Sequence, residues 1–313
     1  MLIIFYRLIL EKFNQINWMK NRVEIMEVGL RDGLQNVNKN LSIEDRIFII
    51  NGLISAGIKN IQVTSFVNPK IVPQMAQAED LVKQIPRIKN IEFSALAFNQ
   101  KGMIRAMDCG IKKIETSISI SERYSKKNLG LDVGRSLIQL KNLVKLSEEN
   151  SIKLRAGLQC VWGYDNTGYA GQSKVLEYLK QIIGMGVESI SLCDTAGMAK
   201  PKEITSLLEK IIKLFPSIDI FIHLHDKNGL GLVNVLSALK FGIKGIDTSL
   251  GGVGGSPFIK NSRGNIGTED TIYLLNSLGY EMGIDIQKIA ILSKFLEKKI
   301  GSSYFGGKVY KIV

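Results

Sequence analysis

Ile218-Asp-Ile-Phe-Ile-His-Leu-His-Asp226 decides how the rest of the chain is read. It is a strongly apolar run with β-branched residues, ending in the only two histidines of 313 residues. In a strand, side chains two apart project to the same face, so the imidazoles of His223 and His225 would meet one region of space. That is the geometry of a metal-ligand pair. Two ordinary polar residues at a strand end is the competing reading, which a single histidine would leave in front.

Working outward, seven more short β-rich runs are found at 23–28, 60–64, 91–97, 113–117, 153–159, 189–193 and 245–249, with this one at 218–224. The segments between them, such as 42–57 and 172–186, place apolar residues at spacings of three and four, and several end in glycine as helices do. Strand–helix alternation without a break in composition indicates one parallel α/β unit. Eight repeats favour a closed (β/α)8 TIM barrel over an open doubly wound sheet, whose phosphate-binding glycine fingerprint is missing after the first strand: that segment reads Glu27-Val-Gly-Leu-Arg-Asp-Gly-Leu-Gln35. Segments 268–278 and 285–300 read as additional C-terminal helices. Residues 23–300 are thus expected to form a single barrel domain, with an N-terminal extension at 1–22 and a basic tail at 301–313.

A barrel demands that chemistry-bearing residues recur where strands end. They do. Arg31 and Asp32 follow the first strand, Gln62 and Ser65 lie at the second, and Asn99 follows the third. Gln159 and Trp162 mark the fifth, Cys193-Asp194-Thr195 the sixth, the histidine pair the seventh, and a glycine-rich loop, Leu250-Gly-Gly-Val-Gly-Gly-Ser-Pro-Phe258, the eighth. That loop reads as a turn or as a lid over a site. Arg263-Gly-Asn-Ile-Gly-Thr-Glu-Asp270 then opens a helix, with Thr268 expected at its N-cap. Asp32, joined with the two histidines, would make a mixed nitrogen and oxygen site suited to Mg²⁺ or Mn²⁺, and Arg31 would be free to stabilise an oxyanion. A plain salt bridge is the alternative for that pair.

Composition bounds the function. With 45% apolar and 22% charged residues the chain is an ordinary globular protein. Its net charge of +12 comes from 41 Lys and Arg against 29 Asp and Glu, scattered without the aromatic interleaving of a nucleic-acid surface. Attraction for a carboxylate or phosphate ligand fits that charge. Three cysteines, Cys109, Cys160 and Cys193, show no paired spacing, so a reducing cytoplasm is expected. The apolar start, residues 1–10, is too short to span a bilayer.

Segments 27–35, 63–75 (Val-Thr-Ser-Phe-Val-Asn-Pro-Lys-Ile-Val-Pro-Gln-Met), 191–197, 223–229 and 249–270 together resemble the hydroxymethylglutaryl-CoA lyase family, in order and with similar spacing from residue 23 to about 289. These are metal-dependent TIM-barrel lyases, akin to isopropylmalate and homocitrate synthases. The resemblance implies that Asp32, His223, His225 and Asn265 coordinate a divalent cation, Mg²⁺ or Mn²⁺. It implies that Arg31 stabilises an enolate oxygen and that His223 also takes part in proton transfer. Ser65, Asp194 and Thr195 are expected to contact substrate. The implied reaction is retro-Claisen cleavage of a 3-hydroxy-3-methylglutaryl thioester to acetoacetate and acetyl-CoA, by a homodimer.

Two positions depart from the family pattern. Ser256 stands where the glycine loop carries the family's catalytic cysteine, and Gln62 where the second strand carries a glutamate. A thiol titrates near about 8.5 and exchanges protons around neutrality; an unactivated serine hydroxyl does not. Glutamine keeps the shape of glutamate but loses its charge and proton-accepting capacity. The expected function is therefore a carbon–carbon lyase for a 3-hydroxyacyl-CoA or related hydroxy acid. A Claisen-type condensing enzyme or aldolase on another substrate, and a silent ligand-binding barrel, are the alternatives. Lys39, Lys70 and Lys126 are basic loop residues near the expected rim, with an ordinary surface lysine the competing reading for each.

Overall fold

Each strand pairs in parallel with the next in sequence, and the last returns to the first: β1 (Glu24–Glu27), β2 (Asn60–Ser65), β3 (Glu92–Leu96), β4 (Lys113–Ser119), β5 (Lys153–Gln159), β6 (Ser189–Cys193), β7 (Asp219–His223) and β8 (Gly245–Thr248). Closure is in full register, from Glu24 opposite Gly245 to Glu27 opposite Thr248. This computed structural model describes residues 23–164, 171–254 and 264–313. The expected extension at 1–22 and Ser256 lie outside them.

Helices fill the connections: α1 (Ile43–Ser55), α2 (Ala78–Gln84), α3 (Gln100–Asp108), α4 (Glu122–Leu129), α5 (Val133–Glu149), α6 (Gln172–Gly184), α7 (Pro201–Leu214) and α8 (Gly231–Leu239). Two more, α9 (Thr268–Ser277) and α10 (Ile286–Ile300), close the domain. Short polar side chains begin many of them. Ser42, Asn99, Ser121, Asp132 and Asp285 each accept a hydrogen bond from a first-turn amide. No described helix is long and apolar enough to cross a membrane.

The eight-strand barrel with added C-terminal helices is the fold the sequence predicts. The apolar core lies outside the sheet, where Ile114, Leu158, Ile190, Ile220, Ile222 and Ile246 face the helix ring, all nearly inaccessible. Burial of each such side chain contributes roughly 2 kcal/mol. Alternate residues of the same strands point inward and are largely polar. Phe221 is an exception, and the Arg155 guanidinium lies 4.6 Å from its ring centroid. The strands thus divide labour by parity: one face holds the barrel to its helices, while the other is available for chemistry.

The tail is an integral part of the domain. Tyr310 is fully buried and donates to Glu297 Oε1 at 2.9 Å, while Gly307 N donates to Gly251 O at 2.9 Å. Gly251 has a left-handed φ of 56°, and a Cβ there would stand 2.3 Å from the Phe305 ring. Only glycine meets both requirements.

Thr268 is the first residue of α9, not its cap; Gly267 holds that place. The threonine hydroxyl instead donates to buried Glu27, whose other oxygen accepts from Gly29 N at 2.7 Å and Leu250 N at 3.0 Å. Glu269 similarly accepts from Gly251 N at 3.0 Å and from the Ser293 hydroxyl. These two carboxylates clamp the start of the loop after β8. Burial outweighs their hydrogen bonds and pushes Glu27 up to about 7 and Glu269 up to about 8.

Their folded values lie above the unfolded value of 4.5, so the stability of the protonated forms is lost as pH rises through 7 and 8. His225, depressed to about 4, acts in the opposite sense only as pH falls below 6.5. Between pH 6.5 and 8 the metal-free chain should therefore lose about 2 kcal/mol of stability. Thermal unfolding in chelator should show the midpoint dropping by several degrees across that interval; a level or rising midpoint would contradict the assignment.

Candidate functional site

The site is built at the carboxy-terminal rim, beginning with a single wide helical turn, Gly29–Gly33, directly after β1. Its amides fold back onto Val28 O, with Asp32 N at 2.7 Å, and this sharp reversal presents Arg31 and Asp32 over the barrel mouth. Such π-type turns recur at functional positions. Asp32 Oδ1 accepts from Arg31 Nη1 at 2.6 Å and Gln35 Nε2 at 3.0 Å, while Oδ2 accepts from Asn265 Nδ2 at 2.9 Å.

On the far side, His223 ends β7 and His225 stands two residues on, paired across an isolated bridge with Asn265. The rings lie 5.2 Å apart between centroids. One ligand atom from each of Asp32, His223 and His225 falls within 4.8 Å of the others, and all three residues are buried. The four expected ligands are thus brought together from β1, β7 and the stretch before α9.

Second contacts decide which ring atoms are free. His225 Nδ1 lies 3.1 Å from Thr195 O; a carbonyl only accepts, so this nitrogen carries the hydrogen and Nε2 keeps its lone pair. That Nε2 is buried without a hydrogen-bond partner, as is Asn265 Oδ1. Burial, and then the neighbouring His223, hold the His225 ring down at about 4, hence neutral near pH 7. Burial alone would raise the Asp32 carboxyl, but Arg31 and the imidazoles outweigh it and hold it near about 2. A carboxylate, two imidazoles and an amide oxygen, two of these groups with orphaned buried acceptors, form a donor set that fits a divalent cation.

His223 is oriented by a network that sequence reasoning missed. Its Nδ1 lies 3.3 Å from Asp247 Oδ2 and its Nε2 3.8 Å from Asp32. Arg155 grips Asp247 through two bonds, at 2.7 and 3.2 Å, and turns its Nε to Glu115, while Ser191 donates to Asp247 at 3.2 Å. Asp247 is held well below the usual carboxylate range: burial opposes this, but Arg155 and His223 prevail. Carboxylate–histidine pairs of this form fix the tautomer and aim of a metal-ligating ring. The signal was present in β4, β5 and β8, where Glu115, Arg155 and Asp247 each directly follow a buried or half-buried apolar residue, as His223 does in β7. Singly, each reads as an ordinary strand polar.

A cavity of about 670 Å³ opens above these groups, with Arg31, Gln62, Ser65, Cys193, Thr195 and His223 among its lining. A larger opening at the opposite mouth, about 1380 Å³, is lined partly by paired charges such as Lys113 and Lys153 on Glu92 and holds none of the expected site residues. Gln62, beside a bulge in β2, accepts a hydrogen bond from Arg31 Nε and so aims the guanidinium. Thr195 reaches the cavity but uses its hydroxyl to accept from Cys160 N at 2.8 Å. Asp194 is absent from the wall. One of its oxygens holds the β6–α7 loop through Met198 N and Ala199 N, the other is unpaired, and burial raises it to about 6. Cys193 is the only cysteine on the wall, its thiol pushed by burial up to about 12 and therefore protonated. Lys39, Lys70 and Lys126 are exposed and line no part of the cavity.

The chain has relatives among known proteins. The chain is 35% identical over 280 residues to the hydroxymethylglutaryl-CoA lyase of Bacillus subtilis, covering 90% of this chain and 94% of that one. It is 34% identical over 279 residues to the mitochondrial hydroxymethylglutaryl-CoA lyase of Arabidopsis thaliana, covering 89% of this chain but spanning only 60% of that longer protein. The crystal structure of the Bacillus subtilis lyase superposes with a TM-score of 0.89 at 34% identity, over 93% of this chain and 98% of the other. An Acinetobacter baumannii HMG-CoA lyase in complex with coenzyme A and 3-methylmalate gives 0.87 at 28% identity, over 93% and 94%. The family model described as HMGL-like matches residues 22–296, and the chain belongs to that family.

Proposed function

We propose that the chain is a divalent-metal-dependent carbon–carbon lyase that cleaves a 3-hydroxyacyl-CoA thioester or a related hydroxy acid. One observation carries this reading: His225 Nε2 and Asn265 Oδ1, buried and unpartnered, stand in the same cluster as Asp32 and His223. Asp32, His223, His225 and Asn265 would hold Mg²⁺ or Mn²⁺. When bound, the cation would hold the substrate hydroxyl and lower its pKa.

The remaining work falls to side chains. Arg31, held between Asp32 and Gln62, would stabilise the enolate oxygen that forms as the carbon–carbon bond breaks. His223 has two roles in prospect, ligand and proton carrier, which compete for Nε2. The Nδ1 contact to Asp247 leaves that atom open to either. The hydroxyl proton must leave before cleavage, and the enolate carbon must gain one afterwards. Ser256 holds the family position for that last transfer, so cleavage should be slow. Homodimerisation and a cytoplasmic location belong to the same proposal, the latter in keeping with three cysteines of which none forms a disulfide.

Incubation with 3-hydroxy-3-methylglutaryl-CoA and Mn²⁺ should release acetoacetate slowly, and chelator should stop it. Binding of acyl-CoA without turnover, across a panel of thioesters and 2-oxo acids, would favour the silent barrel instead.

A further inference from the structure

Barrel interiors are usually filled by branched aliphatic side chains. Beneath the cation cluster this one is not. The strand register sets Ser117 beside Gly157, Gly157 beside Ser191, and Cys193 beside His223. All four small residues line the cavity. A Cβ at Gly157 would already meet Ser117 Cβ at 3.1 Å and Cys193 Sγ at 3.5 Å, so β5 contributes no side chain at this level. The space therefore continues down to Glu115 and Arg155, which also belong to its lining.

The floor has a specific chemical demand. Glu115 is 4% exposed, gives Oε2 to Arg155, and leaves Oε1 buried with no hydrogen-bond partner. An acceptor left in that state costs about 1–3 kcal/mol, more when charged. On the wall, half-buried Ser117 carries a hydroxyl, and Gln159, whose Oε1 accepts from Asn128 at 3.3 Å, has amide hydrogens to donate. A carboxylate arriving here would be repelled by Glu115 and Asp247, which outnumber the one Arg155, while an ammonium could donate to Glu115 but accept nothing from the Gln159 amide. A neutral group that both donates and accepts satisfies the Glu115 oxygen and one of the wall residues together.

We propose that Glu115, Ser117 and Gln159 form a subsite for a hydroxyl group on the acyl part of the substrate. The preferred substituent on the carbon bearing the metal-bound hydroxyl is then a hydroxyalkyl group rather than methyl. This deepens the lyase reading and rests on it.

The test compares two small acids, 3-hydroxy-3-methylglutarate and 3-hydroxy-3-(hydroxymethyl)glutarate, titrated calorimetrically into the Mn²⁺-loaded chain. The hydroxymethyl acid should bind about tenfold more tightly, the worth of roughly one recovered hydrogen bond to a charged group. Ser117→Ala should shrink that ratio several-fold with unchanged Mn²⁺ affinity. Glu115→Gln, read by the same ratio at saturating Mn²⁺ because Glu115 also braces Arg155 behind His223, should remove it, and covers the case in which Ser117 is the lesser partner. Equal affinities in the wild type, as when ordered water alone satisfies Glu115, or a preference for the methyl acid would overturn the subsite and leave the lyase reading standing. Failure of both acids to bind in a Mn²⁺-dependent manner would take both readings down.

Discussion

His225→Ala should weaken Mn²⁺ binding by more than about 100-fold while leaving the far-ultraviolet circular dichroism of the chain unchanged. The ring is held by one hydrogen bond, to Thr195 O, and by packing against His223, so its removal disturbs little else. It nevertheless takes away one of the two orphaned acceptors of the cluster. Removing an outer partner of a ligand commonly costs 10–100-fold in metal affinity, and removing the ligand itself should cost more. Asp247→Asn supplies the graded comparison. It keeps an oxygen near His223 Nδ1 but loses the charge that balances Arg155, so its loss should fall within that 10–100-fold range. Calorimetric titration of wild type and both variants reads the whole series, and a wild type that binds neither Mn²⁺ nor Mg²⁺ ends the proposal.

The second large effect is a gain. Ser256→Cys should raise cleavage of 3-hydroxy-3-methylglutaryl-CoA by about 100-fold or more, since a well-placed general acid is worth 10²–10⁴ and serine cannot supply one unaided. Cys193, although on the cavity wall, is half-buried with its thiol raised to about 12, which makes it a poor exchanger of protons near neutrality. Gln62→Glu should add less. The amide oxygen already aims Arg31, and glutamate would keep that acceptor while adding charge beside a guanidinium that Asp32 also engages. Steady-state rates of Ser256→Cys, alone and with Gln62→Glu, decide the matter. No gain in either would mean that the cavity is shaped for another acyl group, as the polar floor at Glu115 suggests.

How far the sequence reached can be followed residue by residue. The strands were legible because their apolar residues report burial against helices, and every one of the eight falls within two residues of its expected bounds. The run from 285 to 300 was legible as a closing helix for the same local reason, and the structure makes Asp285 its cap. The histidine pair and Arg31-Asp32 announced themselves by composition and strand-end position. The roles of Thr268 and Tyr310 did not, because each depends on a distant residue: Thr268 answers to Glu27, and Tyr310 to Glu297.

By itself, then, the order of amino acids determined the alternation of elements, the closed barrel and the strand ends at which chemistry gathers, since periodicity and capping act between near neighbours. The tertiary structure alone decided that Glu115, Arg155 and Asp247 stand behind His223, that His225 keeps Nε2 free, and that Asp194 turns away from the cavity. Those outcomes depend on strand register, which sets Arg155 and Asp247, 92 positions apart, within hydrogen-bond reach, and on the closing of β8 against β1, which does the same for Glu27 and Thr268, 241 positions apart.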